Sequence, residues 1–128
     1  MLVDDSAVVR GLIRRFVDPE PGIEIVATAG NGEVAVATLQ RTENVDVIVL
    51  DIEMPVMDGL TAIPLLLEVK PDVKIVMAST LTERNADASL RAIAAGATDY
   101  LAKPSSGAGL STADDFKHDL IEKIHALG

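Results

Sequence analysis

The sequence alternates five short apolar runs with five stretches of helical periodicity. Three or more of the runs are rich in β-branched residues and show little apolar–polar alternation, which is typical of parallel strands covered on both faces. The runs lie at residues 1–3, 23–29, 45–50, 73–78 and 98–102. Because parallel strands need long crossover connections, this βαβαβαβαβα order predicts a parallel sheet with helices on both faces.

Right-handed crossovers leave few ways to arrange five such units. We therefore predict an α/β protein with a doubly wound, flavodoxin-like (βα)5 fold, a three-layer sandwich around a parallel five-stranded sheet of order 2-1-3-4-5. Residues 1–128 suit one domain with one core, and we find no internal repeat and no second domain. Ligands of such sheets bind at the carboxyl ends of the strands where the order switches, here between strands 1 and 3.

Residues typical of helix ends predict the boundaries of the helices. The predicted starts are Ser6, Asn31 or Gly32, Asp58-Gly59, Thr82 or Glu83, and the capping-box pattern Ser111-Thr112-Ala113-Asp114. Gly96 is a plausible left-handed end of the fourth helix. Pro64 lies inside the third helical pattern and should kink or shorten that helix.

Charge and composition exclude several classes of function. The formal net charge of −9 argues against non-specific nucleic-acid binding and against binding to anionic membranes. The absence of Cys excludes disulfide frameworks and thiolate zinc sites, and it favours the cytoplasm. No apolar stretch approaches the roughly 20 residues of a membrane span, and "MLVDDS" becomes charged too early for a signal peptide. The chain opens almost inside its first strand, so we expect a few residues of that strand to be missing.

Polar side chains follow four of the predicted strands. Asp4-Asp5 follows the first strand and Asp51 the third, so three carboxylates should meet in one crevice. Like charges this close need compensation, and Mg²⁺ prefers such oxygen ligands. Ser79-Thr80 offers hydroxyls, and Lys103 offers an ammonium group. Metal, hydroxyl and lysine together are typical of a phosphoryl site, with Asp51 as the candidate nucleophile that forms an acyl phosphate.

Other polar residues have a simpler interpretation. Asp58 is expected to be a helix cap rather than a ligand, and His118 and His125 should lie on the surface of the last helix. Gly30-Asn31-Gly32 is expected to form a turn, because no Lys-Ser/Thr pair follows it as in a phosphate-binding loop.

Four segments together resemble two-component response-regulator receiver domains: "VDDS", "VIVLDIEMPVMDG", "VMAST" and "GATDYLAKP". The resemblance covers essentially the whole chain and implies a CheY-like fold whose Asp51 accepts a phosphoryl group from a histidine kinase. It implies a Mg²⁺ site, which Mn²⁺ could also occupy, formed by Asp51, by Asp5 directly, by Asp4 largely through water, and by the backbone carbonyl of Glu53. It also implies that Ser79 and Lys103 bind the phosphoryl group, that Tyr100 is the switch aromatic, and that the bond before Pro104 is cis.

The segment "MASTLTERNADASLRAIAAGATDYLAKPSSG", with "DDFKHDLIEKI" after a Ser/Gly-rich loop, is similar to the regulatory domain of CheB-type chemotaxis methylesterases. This resemblance implies a CheA-like histidine kinase as partner and a methylesterase as the effector of a longer protein. The chain itself has no Gly-x-Ser-x-Gly elbow, so we expect an isolated receiver without an effector domain and without esterase activity.

Three alternatives remain open. The chain could be the receiver of another response regulator, with a DNA-binding or stand-alone output. It could be a pseudo-receiver that works without phosphate, although the complete set of acidic, hydroxyl and lysine residues argues against that. A phosphatase of the haloacid-dehalogenase type also uses a strand-end Asp and Mg²⁺, but those enzymes resemble Asp-x-Asp, whereas this chain has Asp51-Ile52-Glu53 and no cap domain.

Overall fold

A computed structural model describes the backbone at residues 1–80, 83–103 and 110–128, and the side chains at residues 1–79, 87–103 and 114–128. Five strands and five helices alternate along these described residues. They are β1 (Leu2–Val3), α1 (Ala7–Val17), β2 (Thr28–Ala29), α2 (Gly32–Gln40), β3 (Val47–Asp51), α3 (Gly59–Val69), β4 (Lys74–Thr80), α4 (Glu83–Ala95), β5 (Asp99–Lys103) and α5 (Leu110–Leu127). None of these helices, within the described ranges, is both long and apolar enough to cross a membrane.

The strands form one parallel sheet in the order β2-β1-β3-β4-β5, which confirms the predicted topology. Successive residues of a strand point to opposite faces of the sheet. Ile48 and Leu50 of β3 therefore pack with α2, α3 and α4, whereas Val49 packs with α1 and α5. The two apolar clusters lie on opposite faces of the sheet, so the fold is the predicted three-layer sandwich.

The second strand is much shorter than the predicted run at residues 23–29, because only Thr28 and Ala29 belong to β2. The register explains this difference. Leu2 pairs with Thr28 and Val3 with Ala29, so β2 comprises only the two residues that lie opposite β1. Apolar character alone predicted the longer strand, but a strand also needs a neighbour for its hydrogen bonds.

Three of the predicted helix caps are confirmed. The side chains of Ser6, Asn31 and Asp58 each accept a hydrogen bond from the backbone N–H three residues later. Gly96, with φ of 121°, follows the last residue of α4 as predicted.

Three further predictions about helices concern the capping box, Pro64 and the start of the fourth helix. The capping-box prediction was wrong, because α5 already begins at Leu110 and Ser111 lies inside its first turn. Pro64 does not shorten α3, which runs through it to Val69. Thr82 lies outside the described residues, and α4 begins at the alternative start, Glu83.

Candidate functional site

Three carboxylates and one ammonium group meet at the carboxyl edge of the sheet. One carboxylate oxygen from each of Asp4, Asp5 and Asp51 lies within 4.8 Å of the other two. Lys103 Nζ lies 2.6 Å from Asp4 Oδ2 and 3.0 Å from Asp51 Oδ1. The ends of β1, β3 and β5 thus bring these side chains into one cluster, as the predicted strand order requires.

The backbone and side chain of Asp4 are both held by hydrogen bonds. Its N–H donates to the carbonyl of Ala29, and its carbonyl accepts from Arg10 Nη1 at 2.5 Å. Asp4 Oδ1 accepts from the Ser6 N–H at 2.9 Å, and Oδ2 accepts from Lys103. Asp4 is buried, whereas Asp5 is exposed. Both carboxylate oxygens of Asp4 already have protein donors, so Asp5 is the better placed of the pair to bind an ion directly.

Burial changes the acidity of Asp51. The pKa of this carboxyl is raised from 3.8 to about 6, chiefly because the group is buried; Lys103 opposes the shift, and the nearby charges of Asp4 and Asp5 add to it. Burial alone would lower the pKa of Lys103, but its contacts with Asp4 and Asp51 outweigh that effect and raise the pKa. Lys103 is therefore a permanent cation that compensates part of the charge of the acidic cluster.

Three more of the predicted site residues lie near or beside this edge. Ser79, near the end of β4, is buried and pairs with Ala102 of β5, one residue before Lys103. Tyr100 lies on β5 with half of its surface exposed. Glu53 is exposed in the segment after β3. Pro104, for which a cis bond is predicted, lies outside the described residues.

The residues given simpler interpretations lie where they were expected. Asp58 caps α3 through a 2.8 Å bond from the Thr61 N–H. His118 pairs with Glu122 on the exposed surface of α5. Gly32 begins α2, and its N–H donates to the Met57 carbonyl at 2.9 Å. This hydrogen bond therefore connects the start of α2 to the segment that follows Asp51.

Gly59 supports the site in a way that the sequence analysis missed. A Cβ atom at this position would lie 2.2 Å from the carbonyl oxygen of Asp51, and the Gly59 N–H donates to the Ile52 carbonyl at 2.7 Å. The helix start therefore packs directly on the backbone of Asp51, and only glycine allows this approach. The available signal is the glycine immediately after a helix cap, a pattern that by itself indicates only a helix start.

We predict that Gly59→Ala lowers the free energy of unfolding by about 2 kcal/mol or more, because the backbone of Asp51 must move away from the new methyl group. Gly11→Ala is the matched control, because a Cβ there meets no atom within 4 Å and the residue lies inside α1. The control should gain about 0.5–1 kcal/mol from helix propensity. Urea denaturation of both variants measures this, and equal stabilities would contradict the close packing at Gly59.

A cavity of about 200 Å³ lies elsewhere, at the amino edge of the sheet. Residues 23–26 and 44–47 form two of its sides, and Ile13 and Ile124 contribute from α1 and α5. None of the clustered carboxylates lines it, so the cavity is separate from the candidate site.

The cluster is suited to bind a hard divalent cation. The ends of β1 and β3 provide its carboxylate oxygens, and the carboxylate of Asp5 is open to solvent. Mg²⁺ is commonly held by one or two carboxylates with water and phosphate oxygens completing its shell. The donor set therefore fits such an ion, and Asp51 would then lie beside both the ion and an ammonium group.

Comparison with known proteins identifies the family. The model of the response regulator receiver domain matches residues 1–113. Over its whole length the chain is 58% identical to protein-glutamate methylesterase/protein-glutamine glutaminase 1 of Paramagnetospirillum magneticum, and 59% identical to the corresponding protein of Azospirillum brasilense. The chain spans about a third of the length of these relatives, 33% and 32% respectively.

Solved structures agree with this assignment. The response regulator domain of Thermotoga maritima CheB is 34% identical, with a TM-score of 0.86 over 98% of this chain and 92% of that one. CheY in a CheX–CheY–BeF3–Mg complex from Borrelia burgdorferi is 26% identical, with a TM-score of 0.79 over 98% of this chain and 84% of that one. The chain therefore belongs to the family of response-regulator receiver domains, and it is similar to the regulatory domains of CheB-type methylesterases.

Proposed function

We propose that residues 1–128 form one phosphoacceptor receiver domain in which Asp51 accepts a phosphoryl group from a CheA-like histidine kinase, with Mg²⁺ or Mn²⁺ as cofactor. The observation that carries this proposal is the position of the buried Asp51, between two further carboxylates and Lys103. In this setting a carboxylate can attack a phosphoryl group while cations surround the transferred oxygens.

The proposed reaction is an in-line displacement. An Asp51 carboxylate oxygen forms a bond to phosphorus as the bond from phosphorus to the histidine nitrogen breaks, and the imidazole leaves with the bonding electron pair and takes up a proton. Asp51 must be ionised to attack, and its pKa of about 6 leaves it largely ionised at neutral pH. Lys103 Nζ, now 3.0 Å from Asp51, would move onto a phosphoryl oxygen. A bound Mg²⁺ would neutralise further negative charge on the transferred group.

We further propose that the new phosphate changes the surface around β5. The Ser79 hydroxyl would donate to a phosphoryl oxygen, and Tyr100, which is half exposed, would turn into the space that Ser79 leaves. This would be a two-state equilibrium that the new charge-assisted hydrogen bonds bias towards the active conformation.

The relatives support a proposal about the effector. They are named as methylesterases and are about three times as long as this chain, which aligns with one third of their length. We propose that the chain regulates a methylesterase effector in a longer protein, and that the phosphorylated surface relieves inhibition of that effector. The sequence beyond Gly128 of the parent protein tests this part, because the proposal requires a serine-hydrolase elbow there.

Intact-mass analysis tests the phosphorylation directly. The protein is incubated with acetyl phosphate and Mg²⁺, and we expect the added mass of one phosphoryl group. Asp51→Asn should remain unlabelled, whereas Asp58→Asn, which changes an exposed helix cap on the same segment, should be labelled like the wild type. Equal labelling of the Asp51→Asn variant would refute the proposal. If no protein gains mass, a beryllofluoride binding assay distinguishes a short-lived phosphate from an inactive site.

Glu53 is expected to affect the lifetime of the phosphate. Its carboxylate is exposed two residues beyond Asp51 and should repel an approaching anion. Glu53→Gln should therefore change the rate of dephosphorylation by about two- to tenfold, which corresponds to about 0.4–1.4 kcal/mol in the barrier. The decay of phosphorylated wild type and variant is followed after removal of the phosphodonor, and identical decay curves would refute this role.

A further inference from the structure

We propose that Arg10 is a positioning residue for the metal site, because it holds the peptide group that aims Asp5 at the acidic cluster. This inference rests on the proposed Mg²⁺-dependent function and extends it to a residue outside the cluster. Arg10 lies in the second turn of α1, half-buried, and its Nη1 donates to the carbonyl oxygen of Asp4 at 2.5 Å.

The guanidinium group lies between the ends of two strands. The carbonyl that it binds belongs to Asp4, just after β1, and a Cβ at Gly30, just after β2, would lie 3.9 Å from its Nη1. The Asp4 N–H is already bound to the carbonyl of Ala29. Arg10 therefore holds the chain at the point where it leaves the sheet and turns into α1.

Two hydrogen bonds fix the backbone on either side of Asp5. Before it, the Asp4 carbonyl is held by Arg10, and after it, the Ser6 N–H is held by Asp4 Oδ1 at 2.9 Å. A peptide group is planar, so fixing the carbonyl oxygen also fixes the direction from Asp4 to the Cα of Asp5. The exposed carboxylate of Asp5 thus has a defined position, within 4.8 Å of the other two carboxylates.

The positive charge of Arg10 and its hydrogen bond to the Asp4 carbonyl should have opposite effects on Mg²⁺ affinity. A positive charge near a cation site opposes cation binding, so its loss alone should strengthen Mg²⁺ binding. Loss of the anchor should instead weaken binding, because Asp5 would sample orientations that do not face the cluster. Residues that orient metal ligands typically change metal affinity by about 10–100-fold when they are substituted. The sign of the change therefore distinguishes the two effects.

The experiment is calorimetric titration of Mg²⁺ into chelator-treated protein at one fixed ionic strength. We expect Arg10→Met to bind about tenfold more weakly than the wild type. Arg14→Met is the matched control, because it removes the same charge from an exposed position on the same helix, and it should bind as tightly as the wild type or slightly more tightly. Arg10→Lys keeps the charge but not the planar guanidinium group, and it should fall between the wild type and Arg10→Met.

A second readout separates positioning from general damage. In labelling by acetyl phosphate, Arg10→Met should need more Mg²⁺ for half-maximal rate while reaching a maximal rate close to that of the wild type.

Mg²⁺ binding by Arg10→Met that equals or exceeds binding by Arg14→Met would overturn the inference. If circular dichroism shows that Arg10→Met does not fold, Arg10→Lys decides, and unchanged Mg²⁺ affinity in that variant overturns it. A wild type that binds no Mg²⁺ would instead refute the metal-dependent function itself.

Discussion

Replacing Lys103 by methionine should lower the free energy of unfolding of the metal-free protein by about 3 kcal/mol at about pH 8. Lys103 Nζ contacts both Asp4 and Asp51, which are buried, and its own side chain is only 10% exposed. Without it, buried carboxylates within 4.8 Å of one another would have no ammonium group beside them. Removing one partner of a buried ion pair is costly because the remaining charge stays desolvated.

The control for this prediction is Lys123→Met. Lys123 Nζ forms an ion pair with Asp99 at 2.7 Å, but both side chains are at least 31% exposed. Loss of this exposed pair should lower the free energy of unfolding by less than about 1 kcal/mol. Urea denaturation in chelator-treated buffer measures both variants. Saturating Mg²⁺ should stabilise Lys103→Met more than it stabilises the wild type, because the ion replaces the missing positive charge. Equal losses in the two lysine variants would show that Lys103 does not compensate the acidic cluster.

The parts of the fold that were predictable are those that the pattern of buried residues determines. β3 is central and covered on both faces, so its apolar run is unambiguous, and the observed strand Val47–Asp51 differs by only one or two residues at either end. β2 lies at the edge of the sheet and depends on its register with β1, which an apolar run does not encode. The acidic cluster was predictable from the strand order, because parallel strands place their carboxyl ends at one edge of the sheet.

The contacts that complete the site were not predictable in the same way. The ammonium of Lys103 reaches Asp4 from 99 positions away in the chain, whereas the sequence motif indicates only a phosphate-binding role for Lys103. Arg10 and Gly59 were missed because their importance depends on backbone atoms of Asp4 and Asp51. A residue's own type carries little information about which backbone group it will approach. These contacts become visible only when the strand ends and helix starts are placed in three dimensions.

Replacing Asp51 by asparagine should stabilise the metal-free protein near pH 8, although it removes the proposed phosphoacceptor. The pKa of Asp51 rises from 3.8 in an unperturbed chain to about 6 in the fold, chiefly because the carboxyl is buried. A folded state with the higher pKa binds the proton more tightly, so folding stability is lost as the pH rises from about 4 through about 6. Asparagine cannot ionise, and the variant avoids a loss of up to about 3 kcal/mol above that range.

The measurement is the free energy of unfolding of Asp51→Asn and wild type in metal-free buffer at several values between about pH 4 and pH 8. The two curves should lie close together near pH 4, separate as the pH rises from about 4 to about 6, and run parallel above that range, where Asp51 is ionised in both the folded and the unfolded wild type. Asp58→Asn, at an exposed cap where asparagine also functions, is the control and should be about as stable as the wild type near pH 8. A constant difference at all pH values would contradict the raised pKa. The prediction would also fail if Asp51→Asn were less stable than the wild type near pH 8. That result would mean that the attraction between Lys103 and the Asp51 carboxylate stabilises the fold by more than burial of the carboxylate destabilises it.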